Sequence, residues 1–316
     1  MRFWGQTHIV RIDSGIKRAL LLAALVAYSC PTARASEQDW PTILSLHFQI
    51  HHESRALPRG FQAGAEAAHR KVRGELSSMV SWLVVEKIHV YLYSDRAGYL
   101  AGRFHPPPWS EGVAVYSGRP GDKSIAVYEG VSAPVFAHEL THLVLGSYFL
   151  EGKRAPPRWL NEGLAMVIQS ELAAGRRIDY GPRLGAPEPL ESFLGSELRS
   201  DSPGERVGPW YMQAESLVRF LKRARSPFYF TRFCRALREG ESVSRALSLI
   251  YALRTVGDFE RAWEDWAAKE HAQGGSSRLK MAAPGVPKTS AAPRPEDMGA
   301  PDEPVVSSSG TVRLLR

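Results

Sequence analysis

Between Ala133 and Leu145 the chain reads APVFAHELTHLVL, and this segment constrains the fold more than any other. Val135, Phe136, Leu140, Leu143, Val144 and Leu145 surround two histidines and a glutamate, so the stretch reads as a buried helix. Ser132 is the expected N-cap, Pro134 suits the first turn and Gly146 is the expected end. Ionisable side chains in such a helix are costly to bury without partners. The fold therefore has to bring something to His138, Glu139 and His142.

Helical spacing says what that could be. Each residue turns the helix by roughly 100°, so His138 and His142 lie about 40° apart on one face, one turn above the other. Both imidazoles can reach a single ion. Glu139 points elsewhere and can hold a water. Two ligands and a general base on one helix form the HExxH pattern of catalytic zinc sites. A third ligand must come from another element. Glu162, 20 positions after His142 (162 − 142), is the natural candidate. It lies in the first turn of an expected helix, Trp159 to Leu172, which follows Pro156-Pro157 and carries an apolar stripe of Leu160, Leu164, Val167 and Ile168. Gly163 and Ala165 are small enough to let this helix approach the HELTH helix. The competing readings are a buried helix with three satisfied polar residues, and for Glu162 a carboxylate favouring its helix dipole.

HELTH followed by WLNEGLA resembles the gluzincin metallopeptidases, the clan of thermolysin and the zinc aminopeptidases. The layout is most similar to the compact peptidase-MA-like domains of bacteria. The resemblance covers roughly residues 39 to 267, and its two motifs are the specific part. It implies one Zn2+ per chain held by His138, His142 and Glu162, with Glu139 as the base. It also implies a zincin-like fold. No GAMEN-like segment precedes the helix, which leaves free-amine recognition without support and favours an endopeptidase. Met166 and Val167 stand where thermolysin's NExxxD pattern places an acidic residue, so the groups supporting the histidines are unassigned.

The implied chemistry is peptide hydrolysis by a metal-activated water, with Glu139 taking a proton and returning it to the leaving amine. Tyr211, in WYMQAESLVRF, resembles the tyrosine that gluzincins place after the third ligand; the alternative is a helix-face ring packing with Ala214 and Val218. Glu215, one turn beyond Tyr211, is expected to be a solvated carboxylate, the alternative being a group that supports the metal ligands. By the same resemblance Ser124 to Tyr128 is the edge strand that pairs with extended substrate. A different class of function is a non-catalytic envelope or binding module that retains the fold, and the intact Glu139 argues against it. Neighbouring His51 and His52 face opposite ways on a strand and do not share a metal. The remaining histidines show no ligand spacing.

Residues 1–35 read as a secretory signal: Arg11, Lys17 and Arg18, then the apolar run Ala19 to Tyr28, then Ala33-Arg34-Ala35. The run is too short to span a bilayer. The expectation is an exported protein, periplasmic or extracellular, without stable membrane insertion. A lipid anchor at Cys30 is disfavoured by Tyr28. After cleavage Cys234 remains alone, so no internal disulfide can form, and its apolar surroundings make it a packed thiol. The net charge of +7 falls to +3 without the signal, which holds five basic residues and one acidic (40 − 5 against 33 − 1). Basic residues are dispersed with no aromatic platform, which argues against a nucleic-acid partner; the expected partner is a peptide or protein substrate.

The expected domain spans 36–270, followed by a disordered Pro/Ala/Ser-rich tail over 271–316. Its first half mixes strands and helices: a strand over Ile43 to Ile50, one long helix over Gly60 to Val85, a strand over Ile88 to Tyr93, and a short helix from Ser94 to Gly102 capped by Ser94. Val113 to Tyr116 and Ser124 to Tyr128 form a hairpin. Everything after the HELTH helix is helical. The fold class is α+β, a small mixed sheet followed by a helical half with the metal site between them.

Overall fold

The computed structural model describes residues 37–117, 121–173, 187–196, 204–281 and 313–314. The chain divides into a unit ending at Trp40, of which Glu37–Asp39 form a short 3-10 turn, and a second unit from Pro41 onward. The expected signal segment and Cys30 lie outside the described residues.

The second unit is mixed α+β. Its sheet starts with β1 (Thr42–Leu44), β2 (Phe48–His52), β3 (Ile88–Tyr93), β4 (Gly112–Tyr116) and β5 (Ser124–Tyr128), in the order β1-β2-β3-β5-β4. β2, β3 and β5 run parallel, while β1 is antiparallel to β2 and β4 to β5. Period-two alternation turns Phe48, Ile50, Ile88, Val90, Leu92, Ile125 and Val127 into the core. The opposite parity sends Gln49, His51, His89 and Tyr91 to the other face. The expected strand over 43–50 is in fact a hairpin, β1 to β2. Its turn is closed by Ser45, whose N–H donates to the Phe48 carbonyl (2.9 Å) and whose hydroxyl accepts from the Phe48 N–H (3.2 Å).

The long helix expected over 60–85 is two: α1 (Phe61–Leu76) and α2 (Trp82–Val85). The break falls at Ser77-Ser78, residues that compete with helical hydrogen bonds. It allows Trp82 to turn inward and donate its Nε1–H to Ser147 (3.1 Å). In α3 (Arg96–Ala101) the cap is Asp95, not Ser94: Asp95 Oδ1 accepts from the Gly98 N–H, and Ser94 instead bonds Glu53 through N–H and hydroxyl.

α4 (Ala133–Glu151) runs two turns further than expected. Gly146 does not end it. A Cβ there would lie 1.9 Å from the Tyr116 hydroxyl, so the glycine is the notch that lets β4 close on the helix. Ser132 occupies the N-cap position without a side-chain capping bond. α5 (Arg158–Leu172) follows, then α6 (Leu190–Phe193), α7 (Gly204–Ala224), α8 (Pro227–Glu239), α9 (Val243–Tyr251) and α10 (Val256–Met281). α4 packs on β4, β5, α1 and α5, and α5 packs on α4 and α7, so the motif-bearing helices lie in the middle of the unit. α10 continues beyond the expected boundary at 270. Residues 282–312 lie outside the described set, and Arg313–Leu314 pairs with Val115–Tyr116 on the outer side of β4. No described helix is long and apolar enough to cross a membrane.

Candidate metal centre

α4 presents His138 and His142 one turn apart, and α5 brings Glu162 against them. The side chains are 2%, 0% and 6% exposed. Glu162 Oε2 stands 3.7 Å from His138 Nε2 and 3.5 Å from His142 Nε2. These separations are long for a hydrogen bond. They match donors sharing one tetrahedral ion, which at bond lengths of 2.0–2.2 Å sit about 3.4 Å apart. The imidazole planes are at 87° with centroids 4.6 Å apart, so the rings aim at a common point from two directions. All four ring nitrogens are buried without a hydrogen-bond partner at normal geometry. Buried polar atoms in native proteins are nearly always satisfied, and a cluster of orphaned lone pairs around one point is what a metal site looks like without its ion's bonds counted. The three donors fit a divalent metal.

Electrostatics agree with that reading. Burial works against a charge on Glu162, but His142 and the hydrogens of both imidazoles outweigh it and hold the carboxyl well below its usual range. Burial lowers His142, and Glu162 more than reverses this and raises it. His138 is lowered, because burial dominates there. The pair His142–Glu162 thus retains a proton where a cation would serve as well. Asn161 stands near enough to His142, and Gln169 to His138, to favour the charged form of each ring. These two residues are the candidates for the support that the sequence left unassigned. Asn161 precedes Glu162 directly, and Gln169 lies two turns further along α5, a spacing that the helix pattern contained.

Glu139 is 1% exposed and lies against Gly112 at the start of β4, where a Cβ would fall 2.6 Å from its Cγ. Tyr211, on α7, is 6% exposed. Its phenol is pushed far above the ordinary range by burial, then by the charge of Glu162 and of Glu139, with Arg158 acting in the opposite direction and hydrogen-bonding to it. Tyr211 therefore belongs to the same cluster. So does Tyr99, whose phenol is raised by burial and, among smaller causes, by Glu139; it bonds Ser110 at 2.8 Å. Nothing in the spacing around Tyr99 or Arg158 marks them beyond their residue types. Thr141 donates to the Ala137 carbonyl of its own helix (2.7 Å) and takes no part.

Three expectations are corrected. Gly163 does not face α4: a Cβ there would lie 2.3 Å from the Ala214 carbonyl oxygen, so its smallness serves the α5–α7 contact. Glu215 is not solvated. It is fully buried and accepts from Ser170 (2.8 Å) and Arg219 (2.7 Å), joining α5 to α7. β5 is not an edge strand, since it pairs with β3 and β4; β4 is itself covered on its other side by Arg313–Leu314 at Val115–Tyr116, which leaves Gly112–Ala114 without a strand partner there among the described residues. Other expectations hold. His51 and His52 face opposite ways, with His52 buried and its Nδ1 2.7 Å from the Ser54 carbonyl oxygen. Cys234 is fully buried, and burial pushes its thiol up.

The chain matches no family model, and no curated protein is significantly similar to it.

Proposed function

We propose that this chain is a zincin-like, zinc-dependent peptidase that cleaves peptide bonds internally. The observation that carries the reading is the buried convergence of His138, His142 and Glu162 with Glu139 held beside them. A zinc ion bound there would supply Lewis acidity toward a carbonyl oxygen and toward water.

The chain's own groups have separable roles. Glu139 accepts the proton that the attacking water gives up and delivers it to the departing amine. Gly112 fixes where that carboxylate stands. Tyr211, kept protonated by burial, donates its hydroxyl hydrogen toward the developing oxyanion. Asn161 and Gln169 orient the two imidazoles, as partners of metal-binding histidines generally do. The outer edge of β4 at Gly112–Ala114 lies beside Glu139, and an extended substrate backbone adds to it as a further strand. Residues 1–35 support action outside the cytoplasm.

The test is zinc content together with turnover of a peptide library. Glu139→Gln should keep the zinc held by His138, His142 and Glu162 and lose at least about 10²-fold in rate. Glu162→Ala should weaken zinc binding itself. Unchanged turnover in Glu139→Gln would refute the mechanism. Absence of zinc from the wild type, even after it is supplied, would leave a binding module that keeps the fold.

A further inference from the structure

Three more side chains with ligand chemistry meet outside this centre: His47 in the β1–β2 turn, and Glu66 and His69 on α1, with donor atoms within 4.8 Å of one another. Glu66 and His69 are three apart and share a helix face. His69 is fully buried in an otherwise apolar stripe of Ala65, Ala68, Val72 and Leu76. Its Nε2 lies 2.9 Å from the Leu83 carbonyl oxygen. A carbonyl only accepts, so Nε2 carries the hydrogen and Nδ1 carries the lone pair. That Nδ1 is buried and has no hydrogen-bond partner. A histidine that gives one N–H to a backbone carbonyl and holds out its other nitrogen is in the arrangement of a metal ligand.

Glu66 completes the donor set with His47. Its Oε2 is 2.6 Å from His47 Nδ1, and its Oε1 accepts the His47 backbone N–H at 3.1 Å. The His47 and Glu66 side chains are 11% and 14% exposed, so an ion from solvent can reach them. We propose that His47, Glu66 and His69 form a second metal site, taking zinc or another divalent ion that prefers imidazole. Two nitrogens and one carboxylate oxygen suit such an ion and not calcium or magnesium. Binding replaces the proton between His47 and Glu66. The His47 and His69 rings are stacked, with centroids 3.7 Å apart and planes at 14°, so one ring has to turn before both nitrogens face a single ion. Leu83 holds His69, which leaves His47, on its turn, as the ring to do so.

The role is structural. The site ties the β1–β2 turn to α1, and His69 packs edge-on to Phe48, which packs on Phe136 of α4. It is independent of the peptidase reading.

The experiment titrates the metal-stripped full chain with zinc alone and counts bound ions. The wild type should take two per chain, Glu66→Gln one, and the Glu162→Ala/His142→Ala variant one, whose binding raises the melting temperature. Adding Glu66→Gln to that variant should abolish both the ion and the rise. Because His69→Ala removes a buried ring, Glu66→Gln, which keeps the shape, is the deciding change. A wild type that binds a single ion lost with Glu162→Ala/His142→Ala, or a Glu66→Gln chain that still binds two, overturns the second site and leaves His47–Glu66 as an ion pair with His69 packed on it. One ion retained in Glu162→Ala/His142→Ala but lost in Glu66→Gln would uphold this site and remove the first.

Discussion

Replacing Gly112 with alanine should injure the reaction while sparing the metal. Gly112 does not have a positive φ, so the backbone accepts alanine and the objection is contact alone. The added methyl would stand 2.6 Å from Glu139 Cγ, 2.9 Å from Cδ and 3.1 Å from Oε1. Carbon atoms in ordinary contact sit about 3.5–4.0 Å apart, so either the carboxylate or β4 must retreat by about 1 Å. Glu139 is 1% exposed and has no open space to take up. Overpacking of this kind costs about 1–3 kcal/mol, at roughly 2–4 °C of melting temperature per kcal/mol for a domain of this size. A base moved about 1 Å from its water loses on the order of 10²-fold in rate. Gly112→Ala should therefore bind zinc like the wild type, melt a few degrees lower and lose about 10²-fold in kcat. Melting curves over the four chains of a double-mutant cycle check the cause without relying on activity. In a Glu139→Ala background the three atoms nearest the methyl are gone, and the Gly112→Ala penalty should shrink. Wild-type turnover in Gly112→Ala, or the same thermal penalty in both backgrounds, would refute the placement of Glu139.

Gly163→Ala puts a methyl 2.3 Å from the Ala214 oxygen and 2.7 Å from Val218 Cγ2. Backbone cannot swing away, so α5 and α7 separate; melting should fall by several degrees and zinc affinity should drop with it, because Glu162 is the preceding residue. Tyr211→Phe should keep zinc and stability and lose about 10²-fold or more in kcat, read from steady-state kinetics with a peptide substrate. Glu75 lies 2.8 Å from both Lys71 and Lys222. Burial pulls its pKa upward, but Lys222 and then Lys71 outweigh this and hold it at about 2 against 4.5 for a free carboxyl. A depressed carboxylate stabilises the fold above its unfolded pKa and ceases to as pH falls through the folded one. Glu75 should thus contribute about 2 kcal/mol above pH 4.5, allowing for partial exposure, and lose it on going to pH 2. Glu75→Gln should flatten that part of the melting temperature–pH curve; an unaltered curve would show that the pairing contributes nothing.

The centre was legible because its information is local. HELTH puts two histidines and a glutamate on one helix, and WLNEGLA puts a carboxylate in the second turn of the next. What escaped depends on contacts between distant segments. Gly146 looks like a helix end until Tyr116 is seen lying in its notch, and Gly163 looks like a partner for α4 until Ala214 is seen behind it. Glu215 is indistinguishable from a surface carboxylate without Ser170 and Arg219. The β1–β2 hairpin was hidden because Ser45-Leu46-His47 contains no glycine or proline; a serine hydroxyl closes the turn. The remaining histidines show no ligand spacing in the sequence, because Glu66 and His69 become a cluster only when that hairpin delivers His47, 19 residues from Glu66.

α4 has a consequence for anyone making an inactive control. It is 19 residues long, about 28 Å at 1.5 Å per residue, close to the apolar thickness of a bilayer. It is buried without interruption from Phe136 to Phe149. His138, Glu139, Thr141 and His142 are what separate it in character from a membrane-spanning segment, and they sit near its middle, where polar side chains are most costly to insert. The polar side chains gathered at the candidate site therefore also set this helix apart from such a segment. Apolar replacements such as leucine at these positions should push it toward membrane insertion, which would convert a question about catalysis into one about trafficking. Glutamine and asparagine remove the ligand chemistry and keep the middle of the helix polar.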